Sequence, residues 1–203
     1  MYVFSVQQLA YTHTNPLATD VGGYGCANPN PNDTPYMQEL MVRWYQFGCF
    51  CPVFRTHGCR NGPSEPDVSP CVNVHRSCGE NEVWSYGNAT QKILSKYIRL
   101  RAEMKPYVQD LVANVTKSGV PTMRPLAFAF PSDAGSRGIN DQYMFGDDLL
   151  VAPVTVQGAV NRSVYFPAGA KWTNFFDSQD VVEGGQRLVV DAPLDTIPVY
   201  RRS

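Results

Sequence analysis

The sequence has little net charge and no long apolar run. Its 17 basic and 18 acidic residues leave a net charge of −1, and no basic stretch stands out. This balance argues against nucleic acid or an anionic membrane surface as a partner. No apolar run approaches the roughly 20 residues of a membrane span, so we expect none. The first stretch, MYVFSVQQLA, lacks both the basic segment and the apolar core of a signal peptide.

Metal-binding patterns are also missing, although the chain has six cysteines. They all lie between Cys26 and Cys78 and form neither a CxxC motif nor a Cys/His spacing typical of zinc, so we expect no metal site. Some of them are candidates for disulfides. Together with four N-x-S/T sequons, they favour the secretory pathway or the extracellular space. That expectation requires a leader upstream of Met1; the sequons begin at Asn32, Asn88, Asn114 and Asn161.

The N-terminal part alternates strand-like and helix-like stretches. One apolar stretch ends at Asp20 before a glycine pair, and a second runs from residue 52 into Arg55 and His57. Residues 36–50 between them have apolar side chains at helical spacing, and Asp33 or Thr34 can cap that helix. Strands that are apolar throughout, joined by a helix, are typical of a βαβ unit in a parallel sheet.

The rest of the chain changes from helical to strand-like character. Residues 58–87 form a long irregular loop, and loops of that length are usually functional or insertions. Residues 89–117 are amphipathic, with Pro106 predicting a kink or break and Gly119 a left-handed cap. After Gly119, short strand-like runs are separated by turn residues, which predicts an antiparallel β-sandwich from about residue 141 onward.

Eight motifs in order along the chain resemble glycoside hydrolase family 31, the α-glucosidase and α-xylosidase group. They are TDVGGYG, ELMVRWYQFGCFCPVFRTHG, NEVWSYG, SKYIRLRAEMKPYVQDLV, SGVPTMRPLAFAFPSD, DQYMFGDDLLVAPV, YFPAGAKWTNF and VEGGQ. The resemblance implies an α/β plus all-β fold, the C-terminal part of a (β/α)₈ TIM barrel followed by an antiparallel β-sandwich domain. Residues 1–140 would hold the last two barrel strands and the closing helices, and residues 141–203 the β domain, in whole or in part.

The resemblance also implies a carbohydrate substrate, an α-glucoside or α-xyloside, bound where the two strands end. Active sites of such barrels lie at the C-terminal ends of the strands. In family terms, Asp20 and His57 would hydrogen-bond sugar hydroxyls, and Tyr24 stands where an aromatic side chain usually walls the subsite. Arg55 would lie near the catalytic carboxylates and keep them ionised. Trp84, in NEVWSYG, is a candidate to cover the pocket.

The catalytic residues themselves have no counterpart in this sequence. Retaining glycosidases use two carboxyl groups, a nucleophile and a general acid/base. The family carries both on earlier barrel strands, so we expect them upstream of Met1, in a missing N-terminal barrel portion that would be this chain's partner. We therefore expect the complete enzyme to hydrolyse O-glycosyl bonds with α-glucosidase-like activity and no cofactor. The isolated chain should be inactive.

Each assignment has an alternative. His57 can instead be a core histidine, and Asp20 a turn residue. Arg55 can be a structural ion-pair partner, and Trp84 a packed aromatic. The whole protein can also be a non-catalytic carbohydrate-binding or regulatory relative, or the chain a structural β-sandwich module. Adjacent Asp147 and Asp148 suggest a carboxylate pair, but their motif favours a turn. We expect His13 and His75 on surface loops.

Overall fold

A computed structural model describes residues 19–22, 34–56, 60–61 and 78–203. In this part of the chain, helices precede residue 119 and strands dominate after it. The α-helices are α1 Pro35–Cys49, α2 Asn88–Glu103, α3 Lys105–Ser118 and α4 Leu126–Ala129. Short 3-10 helices span Val83–Tyr86 and Ala134–Ser136. The strands are β1 Arg60–Asn61, β2 Cys78–Gly79, β3 Met123–Pro125, β4 Tyr143–Phe145, β5 Leu149–Val151, β6 Asn161–Phe166, β7 Lys171–Asn174, β8 Val181–Glu183, β9 Gln186–Asp191 and β10 Val199–Arg202.

Helix α1 forms where the apolar spacing predicted it. The hydroxyl of Thr34 accepts a hydrogen bond from the Met37 N–H at 3.3 Å, so Thr34 is the N-cap. Pro35 fits the first turn because the N–H that proline lacks has no intrahelical acceptor there. The helix buries Met37, Met41 and other residues of one face. This packing fixes the helix between the two stretches that precede and follow it.

The long amphipathic stretch breaks as the sequence predicted. Helix α2 ends at Glu103, and Met104 links it to α3. Pro106 lies in the first turn of α3, where its ring does not clash with a preceding helical turn. Gly119 ends α3 in the left-handed conformation, with φ 71°, and donates its N–H to the carbonyl of Val115. The predicted break and cap are therefore both confirmed.

The C-terminal part contains a six-stranded antiparallel sheet in the order β3-β4-β5-β10-β7-β8 and a two-stranded pair of β6 with β9. The predicted strand-like runs are confirmed with two differences. Leu126–Ala129 forms a helical turn, since a wholly apolar run such as LAFAF carries no periodicity that separates helix from strand. Strand β8, Val181–Glu183, pairs with β7 and was not predicted.

One apolar core joins the helical part to the β part. Phe50 and Tyr97 pack in the same buried cluster as Tyr143 and Phe145. The hydroxyl of Tyr143 also donates to the carbonyl of Phe50 at 3.1 Å. This shared core crosses the predicted partition at residue 140, which itself stays a prediction. A second core, around Trp172, lies within the β part.

The predicted loop of residues 58–87 has some local order. Strands β1 and β2 pair antiparallel within it, with Arg60 opposite Gly79, and the Val83–Tyr86 turn follows. Among the residues that the structure describes, no helix is both long and apolar enough to cross a membrane.

Candidate functional site

The two stretches that end in polar residues lie side by side. Val21 and Thr56 form a parallel bridge, and Val21 is buried. The guanidinium Nη2 of Arg55 lies 2.6 Å from Oδ1 of Asp20, and the two side chains are 56% and 37% exposed. The sequence therefore predicted correctly that both segments present polar groups at one place. It did not predict that Asp20 and Arg55 pair with each other.

The chain turns sharply at Asp20. Asp20 has a φ of 42°, which is uncommon for a residue with a side chain, although Asp tolerates it better than most. Gly22 follows with a φ of 96°. Asp20 begins this turn, and its side chain is partly exposed. Among the described residues, Thr56 alone of the predicted strand 52–56 forms a bridge, and its partner is Val21.

The Val83–Tyr86 turn is tied to the same strand end. The side-chain amide of Asn81 donates to the carbonyl of Val21 at 3.2 Å, and the hydroxyl of Tyr86 donates to Oδ1 of Asn81 at 2.5 Å. Both Asn81 and Tyr86 are buried. Trp84 lies between these two anchors and is 63% exposed, so it is not a packed core aromatic. The structure thus brings an exposed indole onto a turn held against the segment that carries Asp20.

Arg101 of α2 holds the connection that leads into Arg55. Its guanidinium donates to the carbonyls of Cys49, Cys51 and Pro52 at 2.7, 2.6 and 2.7 Å. Burial lowers the pKa of Arg101, and the neighbouring Cys49 side chain opposes that shift. Three backbone acceptors on one planar cation leave this connection little freedom. Arg101 therefore fixes where the segment with Phe54 and Arg55 begins.

The cysteines of this connection are buried free thiols. Cys49 and Cys51 are not bonded to each other. Burial raises the pKa of Cys49 to about 12 against the opposing charge of Arg101, and burial raises that of Cys51 further. Neither thiol is suited to act as a nucleophile. Disulfides between the other four cysteines stay a prediction, since their side chains lie outside the described part of the chain.

An open cleft of about 510 Å³ adjoins Arg55. It lies between the Phe54–Thr56 segment and the faces of α1, α2 and α3. Most of its lining surface is apolar. The lining includes the apolar side chains of Tyr45, Phe54, Ile98 and Val108, together with Arg55 and Thr56.

Three of the five predicted site residues fall in the described part of the chain: Asp20, Arg55 and Trp84. His57 and Tyr24 lie outside the described residues, as do His13 and His75. The binding roles of all five stay predictions. Sequence reasoning missed Asn81 and Arg101, which hold the site from outside. Asn81 lies in the quoted NEVWSYG motif, but Arg101 is one basic residue among several on an amphipathic helix, with no distinguishing signal.

The adjacent aspartates Asp147 and Asp148 were another candidate for chemistry in the sequence. Asp147 lies in the β4–β5 turn, is exposed, and pairs through Oδ1 with Nη2 of Arg124 at 2.5 Å. The carbonyl of Asp148 accepts the N–H of Arg202, so the two aspartates belong to a turn as predicted. Within the described ranges, no group of three or more His, Cys, Asp or Glu side chains is arranged to hold a metal ion.

Comparison with known families decides the relationship of the chain. The model of the glycosyl hydrolases family 31 TIM-barrel domain matches residues 5–111, and that of the family 31 C-terminal domain matches residues 119–203. The chain belongs to glycoside hydrolase family 31. The resemblance predicted from the eight motifs is confirmed. So is the fold class, the C-terminal part of a TIM barrel followed by an antiparallel β-sandwich domain.

Family 31 relatives are much longer than this chain. An alpha-xylosidase of Saccharolobus solfataricus is 34% identical over 200 residues, which make up 98% of this chain and 24% of that protein. Alpha-glucosidase 2 of Bacillus thermoamyloliquefaciens is 34% identical over 181 residues, 89% of this chain and 20% of that protein. The crystal structure of a GH31 alpha-xylosidase from a soil metagenome, complexed with xylose, matches with a TM-score of 0.78 and 39% identity, covering 92% of this chain and 27% of that one. The chain thus spans roughly a quarter of the length of these relatives.

Proposed function

We propose that this chain supplies part of the sugar-binding subsite of a retaining α-glycosidase that hydrolyses O-glycosyl bonds. One observation carries the proposal: Asp20 and Arg55 meet at 2.6 Å where two adjacent parallel segments end. Strand ends are where barrel enzymes bind their substrates. Membership of family 31 and relatives named alpha-xylosidase and alpha-glucosidase support the same conclusion.

Asp20 is the principal sugar ligand of this proposal. Its side chain is 37% exposed, and a carboxylate oxygen paired with Arg55 still has further lone pairs for hydroxyl groups. Hydrogen bonds from hydroxyls to a carboxylate are charge-assisted and hence stronger than neutral ones. Arg55 holds this carboxylate in position through the ion pair, a role that differs from the expected contact with the catalytic pair.

Trp84, His57 and Tyr24 complete the proposed subsite. The exposed indole of Trp84 offers a flat apolar surface with a polar N–H, which suits the face of a sugar ring. His57 follows Thr56 directly and would hydrogen-bond a second hydroxyl. Tyr24 would wall the subsite after the turn at Gly22. In this proposal none of these residues transfers the proton or forms the covalent bond.

The bond-breaking groups belong to the other part of the enzyme. A retaining reaction needs a nucleophilic carboxylate and an acid/base carboxyl group about 5–5.5 Å apart, and proceeds through a glycosyl-enzyme intermediate. This chemistry requires no cofactor. We propose that both groups lie in the barrel portion outside this chain, and that the complete enzyme has α-glucosidase-like activity, with α-xyloside hydrolysis as the alternative.

The proposal is tested in the complete enzyme with aryl α-glucoside and α-xyloside substrates. We expect Asp20→Asn to lower kcat/KM on the order of 10- to 100-fold, the loss of one charge-assisted hydrogen bond. His57→Ala should lower kcat/KM on the order of 100-fold, and Trp84→Ala about tenfold. Trp84→Phe should have nearly the wild-type kcat/KM. Asp177→Asn, an exposed turn residue of the β domain, is the matched control and should leave kcat/KM unchanged.

Three outcomes count against this assignment. Wild-type kinetics for both Asp20→Asn and His57→Ala would remove the subsite. Sugar binding without turnover of either glycoside would instead favour the non-catalytic carbohydrate-binding relative. Turnover by the purified isolated chain, persisting after a contamination control, would contradict the placement of the catalytic pair elsewhere.

The open cleft supports a second part of the proposal, that the remaining barrel portion is this chain's partner. A barrel closes its own strand edges, and an unpaired parallel edge next to apolar lining is prone to association. The cleft is lined by Phe54 and Thr56, and Thr56 is the residue that bridges Val21. We expect the isolated chain to self-associate in light scattering, and co-expression with the remaining barrel portion to yield a single soluble complex. A stable monomer that does not bind the remaining barrel portion would exclude the cleft as the docking site of that portion.

We also propose a secretory or extracellular location. The asparagines of the three described sequons, Asn88, Asn114 and Asn161, are exposed. N-glycans lie on the surface of a folded protein, so these positions are suited to carry them. Protein isolated from its natural source should shift in mass after removal of N-glycans, and each Asn→Gln variant should remove one part of the shift. An unshifted wild-type protein would argue for another compartment.

A further inference from the structure

The loop between β9 and β10 is bound to the helices through its backbone carbonyls. Five consecutive carbonyl oxygens, those of residues 192–196, each accept a hydrogen bond from a side chain of α1 or α2. The guanidinium of Arg43 donates to three of them, Ala192, Pro193 and Thr196, at 2.8, 3.2 and 2.9 Å. A single buried cation thus holds both ends of the loop.

The remaining two carbonyls are bound by neighbouring side chains. The Gln46 side-chain amide donates to Leu194 at 2.8 Å. The Asp195 carbonyl accepts both the Tyr97 hydroxyl at 3.0 Å and the Lys96 ammonium at 2.9 Å. We call this loop, residues 192–196, the carbonyl loop. No loop side chain supplies any of these contacts.

Arg43 is suited to this task by its chemistry. It is 7% exposed, and its hydrogen-bond acceptors are the carbonyls of Ala192, Pro193 and Thr196, the carbonyl of Ala159 at 3.0 Å and Oε1 of Gln46 at 3.0 Å. Burial lowers its pKa, while nearby Glu39, Tyr97 and Asp195 favour the charged form. Both terminal nitrogens of the guanidinium are hydrogen-bonded, whereas its buried Nε has no hydrogen-bond partner. A lysine has fewer donors with a different geometry. The guanidinium is therefore specific to this set of carbonyls.

Helix α1 carries this contact to the sugar site. Arg43 and Gln46 lie in its second half, and Gly48 lies at its end. A Cβ on Gly48 would stand 2.9 Å from the ring of Phe54 and 3.2 Å from the side chain of Val21, so the helix end packs directly on both site segments. The helix is held by the carbonyl loop on one side and touches the residues next to Asp20 and Arg55 on the other.

We propose that the carbonyl loop is a clasp by which the β domain positions α1 and, through it, the Asp20–Arg55 pair, with Arg43 as the positioning residue. The β domain then has a direct part in the geometry of the site. The inference rests on packing and hydrogen bonds and holds whether or not the site binds a sugar. Because the clasp binds backbone atoms, it tolerates changed loop side chains but not lost donors.

Hydrogen–deuterium exchange of the full chain, read by mass spectrometry, tests this. Three segments are compared: residues 192–199, residues 45–56, and the β7 strand as a reference in the β domain. We expect Arg43→Met to speed exchange about tenfold or more in the first two segments and to leave β7 unchanged. Arg43→Lys should restore part of the protection. Two control variants should match wild type: Arg99→Met, an exposed arginine of α2, and Leu194→Ser, which keeps its carbonyl.

Gln46→Ala provides a milder variant in case Arg43→Met does not fold. It removes one donor, and the proposal requires faster exchange in residues 45–56 as well as in the loop. Faster exchange confined to residues 192–199 would show that the loop is pinned locally without positioning α1. A uniform increase that includes β7 would indicate general destabilisation, and an equal effect of Leu194→Ser would indicate side-chain packing. Each of these three results overturns the proposal.

Discussion

The side-chain amide of Asn81 lies directly against the Cα of Gly22. A Cβ built on Gly22 would stand 2.3 Å from both Nδ2 and Oδ1 of Asn81. The same amide donates to the carbonyl of Val21 and accepts the hydroxyl of Tyr86, so it has no free direction in which to move. The turn after Asp20 and the turn that carries Trp84 therefore meet at a point with no room for a side chain.

Gly22→Ala should destabilise the protein by about 2–4 kcal/mol. A left-handed conformation costs an alanine roughly 1–2 kcal/mol, and the overlap with Asn81 adds to it. Gly158→Ala is the matched control, since Gly158 has a similar φ of 72° and open space around it. It should cost only about 1–2 kcal/mol by the same backbone argument. Urea unfolding measures both; equal losses would mean that the contact with Asn81 contributes nothing.

Arg101→Met should lower the free energy of unfolding by about 2–4 kcal/mol. The change leaves the carbonyls of Cys49, Cys51 and Pro52 without their shared donor in a largely buried place, and each unsatisfied group is costly. Arg101→Lys should recover only part of the loss because one ammonium cannot reproduce the guanidinium geometry. Arg99→Met, on an exposed position of the same helix, should change stability by less than about 0.5 kcal/mol. A loss no larger than that control would show that Arg101 does not hold this connection.

Cys49 and Cys51 should resist alkylation in the folded protein. Both are fully buried, and burial raises the pKa of each thiol, so little thiolate forms at pH 8. Iodoacetamide at pH 8 followed by mass spectrometry should leave both unlabelled without denaturant and label both in it. Rapid labelling of either residue under native conditions would show that this connection opens frequently.

Asp133 should make the stability of the β domain sensitive to acid. Burial alone would raise its pKa, but hydrogen bonds outweigh it and hold the pKa below the ordinary value; they come from Ala168 N–H, the Tyr165 hydroxyl, Gly135 N–H and the Ser136 hydroxyl. A lowered folded-state pKa means stability that is present above about pH 4 and is lost as the pH falls through that lowered value.

The measurement is the dependence of the unfolding free energy on pH between neutrality and strong acid. Asp133→Asn should lower it by about 1 kcal/mol at pH 7 and flatten its decline in acid. Asp177→Asn, whose carboxylate accepts one N–H, that of Gln179, should leave the acid decline almost as in wild type. An unchanged acid decline in Asp133→Asn would remove Asp133 as its source.

Much of the local structure could be predicted because it depends on short-range rules. The Thr34 cap, the break before Pro106 and the left-handed Gly119 follow from which backbone groups each residue type can satisfy or tolerate. The prediction of a strand at LAFAF was wrong, since a wholly apolar segment lacks the periodicity that distinguishes helix from strand. Sequence order of the motifs identified the family and thereby the positions of Asp20 and Arg55.

The sequence by itself determined the family, the helices over residues 36–50 and 89–117 with the break at Pro106, and the residues that end the two site segments, because these depend on residue type and spacing along the chain. Tertiary structure alone decided that Asp20 pairs with Arg55, that Asn81 closes against Gly22, and that Arg101 and Arg43 bind backbone carbonyls. Those contacts join residues about 35 to 150 positions apart, and a carbonyl acceptor is the same in every residue. The periodicity of the sequence therefore does not indicate which arginine binds these carbonyls.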